Sequence, residues 1–116
     1  MFIQLKHKSL NVYSSVRELA KEIYKISMIL PVEEKFNLVS QIRRAALSVK
    51  PNLAEGCSRR SLAERKRYLE VSRGSVVEID AALETAVDLN YFKTDELKKT
   101  GELLNKCFAM LSKMIG

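Results

Sequence analysis

From Val12 the apolar residues recur as Val12, Val16, Leu19, Ile23, Ile26 and Leu30, at alternating intervals of four and three. That rhythm is one stripe of an amphipathic helix with a coiled-coil-like period. Arg17, Glu18, Lys21, Glu22 and Lys25 fill the intervening positions, with Glu18 and Glu22 at helical spacing from Lys21 and Lys25, which supports the same helix. The pattern predicts a first helix over residues 11–29, stopped by Pro31 because the residue before a proline is driven out of the α region. Pro31, Glu33 and Glu34 then resemble a helix start, where the missing N–H does no harm and carboxylates suit the positive end of the dipole. The second helix, over 32–56, carries Val39, Ile42, Ala46, Val49 and Leu53 and is predicted to end at Gly56. Pro51 falls inside this pattern and removes the hydrogen bond to the Leu47 carbonyl. A proline there costs about 3 kcal/mol in an ordinary helix interior, so a kink or a break into two pieces is expected near Ser48–Pro51. The amide of Asn52, beside the core stripe, is placed to satisfy carbonyls that the proline frees, and a structural role is favoured for Asn52 and Glu55.

Ser61 and Glu64 match a capping box and open a third helix over 61–89. Its seam is Leu62, Leu69, Val76 and Leu83 at intervals of seven, with Ile79 and Ala86 on the adjoining row. The stretch from Asn90 to Thr94 makes a turn, with Thr94 or Asp95 as the next cap. The fourth helix, over 95–115, carries Leu97, Leu104, Phe108, Leu111 and Ile115. Four long helices with short connections imply one all-α domain over residues 1–116. Its neighbours run antiparallel, as an up-down-up-down four-helix bundle.

The helices carry more apolar surface than one bundle needs. With the seam of the third helix at the core, its opposite face holds Val71, Gly74, Val77 and Ala81, small and apolar where a monomer is usually charged. Leu103, Cys107, Met110 and Met114 widen the apolar arc of the fourth helix. Homo-oligomerisation through these residues is the expectation.

Composition changes this picture little. Of 116 residues, 47% are hydrophobic, with four glycines, two prolines and no tryptophan, as long unpunctuated helices require. No stretch approaches the length of a membrane span, and the opening residues lack the apolar run of an export signal. Cys57 and Cys107 lie fifty positions apart with no CxxC or Cys/His companion, and read as reduced thiols of a cytoplasmic protein. Charge is more informative. The net charge of +6 resides entirely in residues 40–75, where nine cations face only Glu55, Glu64 and Glu70. A net charge concentrated in one third of a chain is a footprint for a polyanion.

Catalysis finds no support. His7, the only histidine, precedes the first helix as a solvated tail residue with no partner fixed by spacing. Glu78, Asp80, Glu84 and Asp88 lack any metal-ligand spacing, and no phosphate-binding glycine loop is present. A non-enzymatic protein without metal or cofactor is expected. The candidate phosphate contacts are Arg43, Arg44, Lys50, Arg59, Arg60, Lys66, Arg67 and Arg73. Glu55 with Arg59 and Lys66 with Glu70 stand four apart and offer these cations a plain pairing role instead. No aromatic residue is counted among them, so base stacking is not expected. Nucleic-acid binding and a solvated surface on a protein–protein scaffold both remain open.

Several of these residues also carry a family resemblance. The run from Gln41 to Gly56 (QIRRAALSVKPNLAEG), then Arg60-Ser61, Tyr68-Leu69, Arg73-Gly-Ser75 and Glu78, resembles the bacterial four-helix bundle proteins encoded in intervening sequences of 23S ribosomal RNA genes. Leu10-Asn-Val-Tyr13, Ala20-Lys-Glu-Ile-Tyr24 and Leu30-Pro31 fit as well, and the likeness spans about residues 8–112. One departure is Lys50, which stands between Val49 and Pro51 where relatives often place the proline directly after the Ser-Ile/Val pair. The resemblance implies an antiparallel four-helix bundle that assembles into a ring, commonly a pentamer. It also implies a fold similar to the accessory variability proteins of diversity-generating retroelements, which bind RNA and a reverse transcriptase through a basic ring surface.

Overall fold

The structure, a computed structural model, describes residues 1–116. It contains four α-helices and no strand: α1 (Asn11–Ser27), α2 (Leu38–Ser58), α3 (Leu62–Asp88) and α4 (Lys98–Ile115). Three single 3-10 turns, Lys6–Ser9, Val32–Glu34 and Thr94–Leu97, precede α1, α2 and α4. α1 packs against α2 and α4, and α3 against α2 and α4, with α2 and α3 in the most extensive contact. The result is a helical bundle of 44 × 29 × 21 Å with one continuous apolar core.

All six stripe residues of α1 and all five of α2 are in that core. The second helix nevertheless begins at Leu38 rather than residue 32. Pro31 starts only one 3-10 turn, and the Glu34 side chain fastens the connection by accepting from the Leu38 N–H at 3.4 Å and the Tyr91 hydroxyl at 2.8 Å. The two connections at this end of the bundle are thereby tied together. Nor does α2 stop at Gly56. It continues to Ser58, and Gly56 is buried inside it, where a Cβ would lie 3.1 Å from Leu69 Cγ and 3.2 Å from the Arg65 carbonyl oxygen. The glycine therefore serves close approach of two helices, not a left-handed turn.

Pro51 does not break α2, which runs as one helix through it. Asn52 donates from Nδ2 to the Ser48 carbonyl and the Ser48 hydroxyl, both at 2.9 Å, one position beyond the carbonyl that the proline deprives. Across the seam Ser75 donates to the Ser48 hydroxyl at 2.9 Å, and the buried Ser72 donates to the Val49 carbonyl at 2.7 Å. Small residues that bond to the facing backbone thus let α2 and α3 approach closely with their polar groups satisfied.

α3 buries Leu69, Ser72, Val76, Ile79, Leu83 and Ala86, and Ser61 Oγ caps it by accepting from the Glu64 N–H at 3.3 Å. Leu62, expected in the seam, is 67% exposed because it stands in the first turn, before α3 reaches the core. At the other end Asn90 takes φ of 64°, and the Tyr91 N–H bonds the Ala86 carbonyl while the Asn90 N–H bonds that of Val87. That paired closure ends the helix. The Lys93 N–H bonds Glu96 at 2.8 Å, ahead of the expected Thr94 or Asp95 cap.

On α4 the buried stripe is Thr100, Leu104, Cys107, Leu111 and Ile115, and Phe108 is 42% exposed instead of Cys107. His7 is another correction. Its ring is buried edge-on against Tyr13, with centroids 5.3 Å apart, because the turn at Lys6–Ser9 folds it onto α1. Glu22 is likewise nearly buried and faces Lys99 of α4 at 3.5 Å. No helix is long and apolar enough to cross a membrane.

Candidate nucleic-acid interface

The eight predicted cations divide into two groups. Three have partners within the chain. The Arg43 Nε donates to Ser27 Oγ at 2.7 Å, and its guanidinium lies 4.9 Å from the Tyr24 ring centroid, joining α2 to α1. Arg73 donates to Ser112 Oγ at 3.1 Å and lies 5.6 Å from the Phe108 ring, joining α3 to α4. Arg59 bonds Glu55 at 3.0 Å and the Tyr68 hydroxyl at 3.2 Å, with Glu64 at 4.0 Å. The Tyr68 phenol, the hydrogen bond to Glu55 and the two carboxylates hold its guanidinium above its ordinary pKa, against some desolvation. Such arginines stitch helices together.

The other five, Arg44, Lys50, Arg60, Lys66 and Arg67, are exposed, and none forms an ion pair. The expected Lys66–Glu70 pair does not form, whereas Glu55–Arg59 does. Arg60 and Lys66 meet around a hollow of about 320 Å³ at the α2–α3 connection, with Arg65 as a third cation and Leu62, Leu69 and Met114 beneath. Arg67 lies 5.3 Å from the centroid of the Tyr68 ring, the same ring that Arg59 contacts at 4.9 Å. Lys50 and Arg44 stand on α2 about 12 and 21 Å short of its C-terminal residue, so the structure does not bring all five to one spot.

Two members of this cluster were not anticipated. Arg65 was counted in the charge of the segment but not among the contacts. Tyr68 corrects the expectation that no aromatic residue interleaves with the cations, since it stands directly after Arg67 and two guanidinium groups lie within 5.3 Å of its ring centroid. Its position next to a run of three basic residues was the available signal.

Chemistry of other kinds has little footing. No three His, Cys, Asp or Glu side chains converge to hold a metal ion. Burial pushes the Cys107 thiol up to about 11 and raises that of Cys57, opposed at Cys57 by Arg65, so neither is an activated nucleophile.

The predicted association face is open. Val71, Gly74, Val77 and Ala81 are all exposed on α3, and a Cβ at Gly74 would meet nothing. Val77 also lines a hollow with Leu104 and Phe108 of α4.

A family model described as 23S rRNA-intervening sequence protein matches residues 8–113, nearly the whole bundle. The chain belongs to that family. Among solved structures, this family member is similar to a crystal structure of a protein of unknown function from the S23 ribosomal protein family of Bacteroides thetaiotaomicron VPI-5482. The two share 22% identity and a TM-score of 0.81, over 90% of this chain and 97% of that one, which is a likeness of fold. No curated protein matches the chain.

Proposed function

We propose that the chain is a non-enzymatic, RNA-associated protein of the cytoplasm, an antiparallel up-down-up-down bundle that works as a homo-oligomer, with a pentameric ring as the assembly. The observation that carries RNA association is the set of exposed cations without ion-pair partners, Arg44, Lys50, Arg60, Lys66 and Arg67, within a segment that holds all of the net charge. Such cations attract phosphates and release counterions on contact, which gives affinity without sequence readout. Self-association is supported by the exposed Val71, Gly74, Val77 and Ala81 of α3.

A second reading, a protein–protein scaffold without nucleic acid, draws support from the connection Met28–Phe36, where Met28, Ile29, Val32 and Phe36 are all exposed. Titration with structured ribosomal RNA fragments and single-stranded RNA, with mass in solution measured on the same sample, separates the two. RNA binding by an oligomer supports the first, and its absence at low salt leaves the scaffold.

A further inference from the structure

Between the C-terminal half of α3 and the start of α4 lies an open cleft of about 630 Å³, the size of a ligand site. Its floor includes Leu83, Leu97 and Leu104, and its rim carries Asp80 and Glu84 from one side and Asp95 and Glu102 from the other. Lys98 is the single cation there. Gly101 stands in this cleft, and nothing lies within 4 Å of where its Cβ would be. Glycine weakens a helix interior, and no neighbour in the chain requires one at this position. The cleft is thus acidic, apolar at its base and held open.

One segment of the chain has the complementary chemistry. Phe2 and Ile3 are 87% and 66% exposed and are followed by Lys6 and Lys8. The other exposed apolar segment, Met28–Phe36, carries Glu33 and Glu34 against Lys35 alone, a net negative charge that the acidic rim disfavours. The first segment does not reach the cleft of its own chain. Leu5 lines a hollow with Cys57, Arg65 and Met114, and Met114 is about 20 Å along α4 from Gly101. Residues Met1 to Leu5 span about 14 Å at full extension.

We propose that the segment Met1–Lys8 of one copy docks in the α3–α4 cleft of a second copy, Phe2 and Ile3 on the apolar floor and Lys6 and Lys8 against the acidic rim. Segment and cleft lie on different sides of the bundle, so the contact is head-to-tail, the kind that closes rings. The proposal rests on the homo-oligomer reading above and names the contact within it.

The test uses the full chain with Phe2→p-benzoylphenylalanine, mixed with isotope-labelled chain to distinguish inter-chain links, and mass in solution measured in parallel. The expected result is inter-chain photo-cross-links within residues 80–105. Their yield falls about tenfold in Gly101→Leu, which projects a side chain into the cleft from a position where a Cβ meets nothing, and in the Glu84→Lys/Glu102→Lys pair. Cross-links elsewhere on an intact oligomer, or a yield unchanged by both variants, overturn the docking and leave the oligomer standing. A monomeric sample overturns both.

Discussion

The two halves of α3 carry opposite charge. Leu62–Arg73 holds Arg65, Lys66, Arg67 and Arg73 against Glu64 and Glu70, whereas Gly74–Asp88 holds Glu78, Asp80, Glu84 and Asp88 and no cation. A helix is stabilised by carboxylates in its first turn and cations in its last. α3 has the helpful Glu64 in its first turn but no basic residue in its last, where Asp88 stands. Helix stability does not account for that arrangement. The segregation instead gives the bundle a cationic end at the α2–α3 connection and an acidic cleft at the opposite end, each suited to a different partner.

The comparison breaks most visibly if the basic half is reversed. Arg60→Glu, Lys66→Glu and Arg67→Glu together are expected to lower RNA affinity roughly 100- to 1,000-fold at 0.1 M salt, from three lost phosphate contacts. Circular dichroism should show the fold unchanged, since none of the three has an ion-pair partner. The control pair Glu78→Lys and Asp88→Lys, in the acidic half but outside the cleft, should leave RNA affinity equal or raised.

A smaller effect marks the seam that supports the basic end. Gly56→Val should lower stability by about 1–3 kcal/mol in chemical denaturation, because its Cβ meets Leu69 and a fixed carbonyl of Arg65. Next comes a contrast between two arginines of the same half. Arg73→Ala gives up the bond to Ser112 and the packing on Phe108, and should lose about 1 kcal/mol. Arg67→Ala should stay within about 0.5 kcal/mol of wild type. If the two lose equal stability, the division between structural and free arginines fails. The smallest expected change is a gain of about 0.5 kcal/mol in Asp88→Lys, which restores a cation to the last turn.

The same helix shows what a sequence reveals of such a bundle. Leu69, Val76 and Leu83 were legible from their interval of seven, and every residue of the stripes read for the first two helices is in the core, which adds Leu38 and Ala45 to the second. Ser72 was not, because a hydroxyl masks a core position that fits the alternating spacing of Leu69, Val76 and Ile79. Thr100 and Cys107 hid the stripe of α4 in the same way and lent Phe108 a place it does not hold. Gly56 was taken for a terminator because a glycine that ends a helix and one that admits a neighbouring helix look alike in one dimension. For the candidate interface, the charge of residues 40–75 was plain, but which arginines find partners depends on Ser27, Ser112 and Tyr68, contributed in part by other helices. Periodicity reports which face is apolar, and says little about which polar side chain reaches across.

The central claim is that free cations on α2 and at the start of α3 hold RNA by its phosphates. The most direct measurement is the dissociation constant for a structured ribosomal RNA fragment as a function of salt, for wild type and for the triple charge-reversal variant. Phosphate binding by these cations requires a steep negative dependence of affinity on salt, with a slope shallower by about 3 in the variant. Binding that is insensitive to salt, or slopes that are equal in the two proteins, would contradict it.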